Sequence, residues 1–516
     1  MNKLALFLLL TGSSFASAIQ LSGGTPLSMG PLDKEIQEGR EFYSRNTDGT
    51  WTIFQPFKAG MESDPRMLVF TADLTGKETG SRLEVKTNNW FDSVHDANVP
   101  TVIMADDRRY LADEGGETSA ILMLKDGAIQ QTDFETFRTA AAQLLARDFG
   151  PKTCPDGIPN REDYDYNNIR FEQLKRGRDG QFTAVVNLHC DLNDDYQGVF
   201  SLSPDLQFDL QKSKLDTAGS ILGYWEPGTA LSNYDETYLM ESGLTGSWPD
   251  SIRAFEIRKL GTHEVIGGFS VPERTLIPPT QIDRTENHIL DTPKYWVILT
   301  GQSLVISDKK NPSAIRTIPF QDAVHFDFVA QIPGQEKIAM VVMKNPTITP
   351  VKVQDVASVI DLASGKITEG APIPGALVRD VPFFANGHLY FTMYDPTVEY
   401  PKLVASDLAN LSSQKVINLN PKVSPKEDVV HWDWYFGALP NGELVFSYGQ
   451  DYYDDSTPAR AETFLLSANL GVDQEIEGQF IRPLLVDGET FVGSVATIKN
   501  NLVDFEYPIR ERFQLE

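Results

Sequence analysis

Residues His431–Asp455 run HWDWYFGALPNGELVFSYGQDYYDD. An apolar-aromatic run from Trp432 is followed by Asn441-Gly442 and then by an alternating run, Leu444 to Tyr448. Asn-Gly between two such runs predicts a tight hairpin, because both central residues of a type I′ turn need positive φ and these residues reach it cheaply. The stretch closes on an acidic loop. It therefore predicts strand, turn, strand, loop.

The same unit recurs in both directions. Downstream, Asp487-Gly488 precedes Thr490-Phe491-Val492; upstream, Asn386-Gly387 precedes Leu389 to Met393. Further copies pair Ile338 to Met343 with Ser358 to Asp361, Tyr295 to Leu299 with Leu304 to Ile306, and Thr237 to Met240 with Ile252 to Ile257. The earliest regular copy contains Phe182 to Leu188, after the turn Arg178-Asp179-Gly180. Recurrence roughly every 45 to 60 residues matches one four-stranded blade of a β-propeller. The chain resembles exported β-propeller repeat proteins at the level of the superfamily. That resemblance implies an all-β fold of about seven blades, six to eight, over residues 51–516. The last unit runs out after three strands, so a strand from the other terminus, near Trp51, is expected to complete a blade. The turn Asp361 to Lys366 is similar to the tryptophan-docking repeat of quinoprotein dehydrogenases, but Glu369 stands where that repeat has Trp, which argues against a quinone cofactor.

One helix interrupts the pattern near residues 133–149. Asp133 can cap it, Phe134, Phe137, Ala141, Leu144 and Leu145 share one face, and Gly150-Pro151 stops it. Residues 19–50 are rich in Gly, Ser and charge and predict an irregular arm. The competing architecture is an α+β domain over 19–165 followed by a six-bladed propeller over 166–516.

Lys3, the apolar run Leu4 to Leu10 and Ala16-Ser17-Ala18 have the layout of a secretory signal over residues 1–18. A periplasmic or extracellular protein is expected. No later stretch reaches about 18 apolar residues, so no transmembrane segment is expected. In an oxidising compartment Cys154 and Cys190, the two cysteines of the chain, most simply pair as a disulfide. The formal net charge is −27, which repels phosphates and argues against nucleic acid as a partner.

Three constellations carry the candidate chemistry. His325-Phe326-Asp327 and His431-Trp432-Asp433 repeat one pattern at the start of predicted first strands, with Arg379-Asp380 at the corresponding place between them. Period-two spacing sets each His and Asp on one side, as acid and base or as ligands for a divalent cation. The plainer account is hydrogen bonding between neighbouring blades. Asp191, Asn193 and Asp195 have the i, i+2, i+4 oxygen spacing that suits Ca2+, although loop tips of this kind are more often simply solvated. Tyr452, Tyr453, Asp454 and Asp455 combine aromatic faces with carboxylates, which suits a glycan or a cationic side chain of a protein or peptide ligand. These features favour a binding or scaffold module over a propeller-fold hydrolase or lyase. The ligand and the oligomeric state are open at this level.

Overall fold

The computed structural model describes the strands, a helix and most tight turns. Longer connections lie outside the described residues, among them 1–20, 27–41, 87–100, 151–167, 218–228, 273–288, 345–353 and 419–428. The chain divides into two units, Ser28–Asp428 and Met1–Leu27 with Val429–Glu516.

Among its described residues the larger unit is all-β apart from one helix, and its seven successive antiparallel sheets are four-stranded blades of a β-propeller. Blades 1 to 7 span residues 42–86, 101–131, 168–217, 229–272, 289–319, 323–374 and 377–418. In blade 6 the fourth strand is split into Ile367–Glu369 and Ile373–Pro374, and in blade 7 the first is split into Leu377–Val378 and Phe383–Ala385.

Hydrophobic patterning explains the layering. The second and third strands of blade 6, Lys337–Lys344 and Gln354–Asp361, are buried along almost their whole length. Neighbouring blades cover both faces, so these strands are continuous apolar runs, not alternating ones. Successive residues then serve opposite neighbours. Ile338, Met340 and Val342 pack with Val297, Leu304 and Ile306 of blade 5, whereas Ala339 and Val341 pack with Leu389, Phe391 and Val404 of blade 7. Fourth strands such as Asn311–Pro319 are largely exposed, and their sequence is correspondingly polar.

A single backbone device recurs in the turns between third and fourth strands. The amides of Leu260, Leu362 and Leu408 donate to the carbonyls of Glu236, Glu336 and Gly387, folding each turn onto the first-to-second strand turn of its own blade. In blade 5 the equivalent bond runs from Lys309 to Lys294 at 2.8 Å. Lysine thus stands where three other blades place leucine.

The expected helix forms over Phe134–Phe149, and Gly150 ends it at φ 74°; Asp133, its expected cap, lies outside the described residues. Ala140, Ala141, Leu144 and Leu145 are buried against Leu174, Phe182, Phe200 and Leu215 of blade 3. Arg147 reaches from its last turn to the carbonyls of Leu210 and Ser213, the latter at 2.7 Å, and Asp148 accepts the Leu215 amide at 3.0 Å. Those carbonyls belong to a bulge in Phe208–Thr217, where the pairing jumps from Ser201↔Asp209 to Val199↔Lys214. No described helix is long and apolar enough to cross a membrane.

The second unit holds two more four-stranded sheets. One is Val429–Ala438, Leu444–Tyr452, Arg460–Leu466 and Val472–Glu477. The other takes three strands from the C-terminal end, and its fourth position is filled by Leu21–Pro26, antiparallel to Ile509–Leu515. A strand from the other terminus does complete a sheet, but Trp51 does not supply it. Trp51 begins Trp51–Lys58, which pairs within blade 1 between Phe42–Arg45 and Pro65–Ala72. The arm expected to be irregular therefore contains two strands. Leu21–Pro26 (LSGGTP) carries little strand propensity of its own, and the open edge it covers imposes the conformation.

Candidate functional site

The expected His/Asp pairs fall on first strands, as their position in the repeat requires. His325 and Asp327 lie in Ala323–Gln331, and His431 and Asp433 in Val429–Ala438. Each His directly follows a register shift, between Ala323 and His325 in one strand and between Val429 and His431 in the other. A further shift lies between Phe326 and Phe328, and the side chains of His325 and Asp327 lie outside the described residues. The two pairs belong to different units. Asp195 opens the strand Asp195–Leu202, and Tyr452 ends Leu444–Tyr452 opposite Val429. Asp191, Asn193, Arg379, Asp380, Tyr453, Asp454, Asp455, Cys154 and Cys190 lie outside the described residues.

The densest described polar site was missed by those expectations. It is built from first-to-second strand turns of blades 4, 5 and 6, together with Lys309. Ser232 opens the blade 4 turn, and its Oγ accepts the amides of Tyr234 and Asp235 at 3.2 and 3.3 Å, which orders the loop. Asp291, in the corresponding segment of blade 5, accepts the Asn233 amide at 2.5 Å and the Ser232 hydroxyl at 3.2 Å. Lys309 donates to Asp291 and, at 2.9 Å, to Ser232 Oγ. Its ammonium also lies 4.7 Å from the centre of the buried Trp296 ring and 5.5 Å from that of Tyr234. Lys175 of blade 3 donates to the carbonyls of Ser232 and Asp235. Tyr234 Oη donates to Gln331 of blade 6 at 2.6 Å. Lys294 of blade 5 meets Glu336 of blade 6 at 3.5 Å.

The electrostatics follow from burial. The side chains of Lys309 and Asp291 are 9% and 5% exposed. Burial pushes the Asp291 carboxyl above its ordinary range, against the pull of Lys309 and of its hydrogen-bond donors. Asp235 goes the other way: burial alone would raise it, but the Thr237 hydroxyl, Lys309, Ser232 and Lys175 together hold it below the usual carboxylate range. Burial lowers the Lys175 ammonium, with Glu236, Asp235 and Asp291 opposing the shift. Burial and the neighbouring charges of Asp291 and Glu336 raise the Tyr234 phenol.

The arrangement separates support from presentation. Lys309, Asp291, Ser232 and Trp296 form the buried support. Tyr234, 47% exposed, and Asp235, 41% exposed in its side chain, stand above it with Glu236 and Glu336 half-buried beside them. An aromatic face fixed at both its ring and its hydroxyl, among carboxylates, can receive a cationic group or a sugar face. One signal could have disclosed the site. Aligning the repeats by their turns sets Lys309 on Leu260, Leu362 and Leu408, and a charge in an apolar repeat position is informative where a charge in a turn is not.

No family model matches the chain, and no curated protein matches it. Among solved structures it is similar to a puromycin hydrolase, with 10% identity, TM-score 0.39, and coverage of 85% of this chain and 62% of that one. It is also similar to a structure described as the eukaryotic initiation factor, with 8% identity, TM-score 0.41, and coverage of 88% and 90%. An apocarotenoid oxygenase from Synechocystis gives 10% identity, TM-score 0.31, and coverage of 91% and 98%. The chain thus spans under two thirds of the hydrolase. At these TM-scores none of the likenesses carries an argument about this protein, and the fold rests on its strand pairing.

Proposed function

We propose that the protein is an exported binding or scaffold propeller that takes a protein, peptide or glycan ligand on an acidic, aromatic rim. The observation that carries this reading is Tyr234, an exposed aromatic pinned over Lys309 and tied to Gln331, with Asp235, Glu236 and Glu336 in the same turns. A side chain already held in place loses little rotamer freedom when a ligand arrives, which lowers the cost of binding. The signal-like residues Lys3, Leu4 to Leu10 and Ala16-Ser17-Ala18 support export to the periplasm or beyond. Basic-peptide and glycan arrays probed with the whole protein test the proposal. Binding that is lost in Tyr234→Ala and Asp235→Asn variants is the expected result, and silence on both arrays would refute it.

A second reading, a propeller-fold hydrolase or lyase, is favoured by one observation. Both His-x-Asp copies directly follow a bulge in a first strand, and bulges re-aim side chains beside active sites. Hydrolysis of a panel of ester, peptide and glycoside substrates that disappears in His325→Ala or His431→Ala would select this reading over the first.

A further inference from the structure

His263 occupies a backbone position that a repeat protein normally gives to glycine. Its amide donates to Lys259 O at 3.0 Å, as Gly365 donates to Asp361 O in blade 6, so the two residues hold the same place in their turns. Their φ angles are 58° and 75°. A side chain in this left-handed conformation costs about 1 kcal/mol or more relative to glycine, and in blade 4 the side chain has a task. It crosses to blade 3. His263 Nε2 lies 2.9 Å from the carbonyl of Lys212, within the bulge that Arg147 also holds, and Nδ1 lies 2.9 Å from Tyr238 Oη of its own blade. The Tyr238 and His263 rings meet edge to face at 6.0 Å.

These contacts define the proton inventory. A carbonyl only accepts, so Nε2 carries the hydrogen, and Nδ1 of the neutral ring is left to accept from the tyrosine hydroxyl. A proton added at Nδ1 would turn Tyr238 Oη into an acceptor facing two donors, the imidazolium and the neighbouring Arg258 guanidinium. Tyr238 cannot compensate by ionising, because burial pushes its phenol up to about 12. Charged groups lie on each element that the ring or its partners touch, including the part-exposed Lys212–Asp209 pair of the blade 3 strand, and Lys214, Arg258 and Arg147 are the ones that act on the ring. Arg147 and Asp148 belong to the helix, Lys214 and Asp216 to the blade 3 strand, Arg258 and Glu256 to blade 4, and Lys259 and Glu264 to the turn itself. The carboxylates are already engaged by cations: Asp216 by Arg258 at 2.8 Å, Glu256 by Arg258 at 2.5 Å, Asp148 by Arg147 at 2.7 Å, and Glu264 by Lys259 at 2.6 Å. An imidazolium would arrive as one more cation among Arg147, Lys214 and Arg258.

We infer that His263 is a proton-sensitive latch between blades 3 and 4, closed while its ring is neutral and released in acid. Burial, joined by the repulsion of Lys214, Arg258 and Arg147 and opposed by the hydrogen bond to the Lys212 carbonyl, lowers the imidazole below its ordinary range, in keeping with a ring held neutral. The imidazolium keeps its Nε2 hydrogen, so what drives the ring out is a buried charge placed among Arg147, Lys214 and Arg258, against the pull of the Lys212 carbonyl; its departure frees that carbonyl and the bulge around it and loosens this inter-blade seam.

The test is amide hydrogen exchange of the whole chain at pH 7.5, 6.5 and 5.5, corrected for the intrinsic pH dependence of exchange. Peptides covering 208–217 and 259–265 are followed in the wild type and in His263→Gly and His263→Gln. Glycine suits the turn, so that variant keeps the backbone while losing the latch; glutamine can donate to Lys212 without titrating. The wild type is expected to exchange several-fold faster at these segments at pH 5.5 than at 7.5. His263→Gly should be fast at every pH, and His263→Gln should be indifferent to pH. Corrected wild-type exchange that does not change with pH, or a glutamine variant that keeps the wild-type dependence, would overturn the inference. The ring NMR titration of His263 provides a second measurement: a midpoint below the ordinary histidine range supports the latch, and one at or above it refutes it.

Discussion

Lys309 and Asp291 form a buried ion pair in blade 5 at the turn position that blades 4, 6 and 7 give to Leu260, Leu362 and Leu408. Asp291 in turn stands at the strand position of Leu231 in blade 4, just before the matched turn residues Ser232 and Thr292. A charged pair stands here where blade 4 has the apolar Leu231 and Leu260.

Removing Lys309 leaves Asp291 buried without its cation, and removing Asp291 leaves the buried Lys309 only the part-exposed Asp235 at 3.7 Å. Lys309→Ala or Asp291→Ala is expected to cost about 3–5 kcal/mol. The double change Lys309→Leu with Asp291→Leu reproduces the apolar pair of blade 4 and should return stability to near wild type or above it. The raised carboxyl of Asp291 points the same way, since it marks desolvation as stronger than the pairing. Denaturant unfolding of the four proteins checks this. Equal losses in the single and double variants would contradict it.

The seam between blades 5 and 6 is held differently. Arg316 donates to the carbonyls of Ala363 and Leu362 at 2.8 and 2.9 Å, inside the turn that Gly365 closes at φ 75°. Arg316→Ala should cost about 1–2 kcal/mol, and Gly365→Ala about the same through its left-handed backbone. Because both act on one turn, the double variant should lose less than their sum. A thermal-shift double-mutant cycle measures the coupling.

How far the sequence discloses this structure depends on the residue. Asn386-Gly387 predicts a hairpin, and both residues do take positive φ, 49° and 74°, between Ala385 and His388. The helix is equally legible, because its stripe and its stop at Gly150 are local. Lys309 is not legible locally. In SDKKNP it looks like a solvated turn lysine, and only folding of the turn onto Lys294 buries it. The bulges beside His325 and Asp327 are invisible to a period-two argument, since an inserted residue changes parity without changing composition. Leu21–Pro26 is the extreme case, where a partner strand at the other end of the chain dictates the conformation.

That N-terminal strand has a consequence for association. Deleting residues up to Pro26 would leave the edge of Ile509–Leu515 unpaired, a template for a strand from another molecule. The truncated protein should self-associate, and sedimentation velocity should show the shift. A truncated protein with the sedimentation of the full chain would count against closure of this sheet by Leu21–Pro26.

Stability should also depend on pH through His263. Its folded pKa lies below the ordinary value of 6.5, so the unfolded chain takes up the proton first as pH falls. The contribution is complete above pH 6.5 and is lost as pH drops from there through the folded value. The wild type should therefore lose more stability between pH 7.5 and 5.5 than His263→Gln. Parallel pH profiles for the two proteins would remove His263 from the account.

The rim at Tyr234 bears the central claim, and titration calorimetry with the strongest array ligand tests it most directly. Tyr234→Ala and Asp235→Asn should each weaken binding at least tenfold, about 1.4 kcal/mol, while Val472→Ser, on an exposed fourth strand of the other unit, leaves it unchanged. Unaltered affinity in both rim variants would contradict the proposal that this acidic, aromatic rim is where the protein binds.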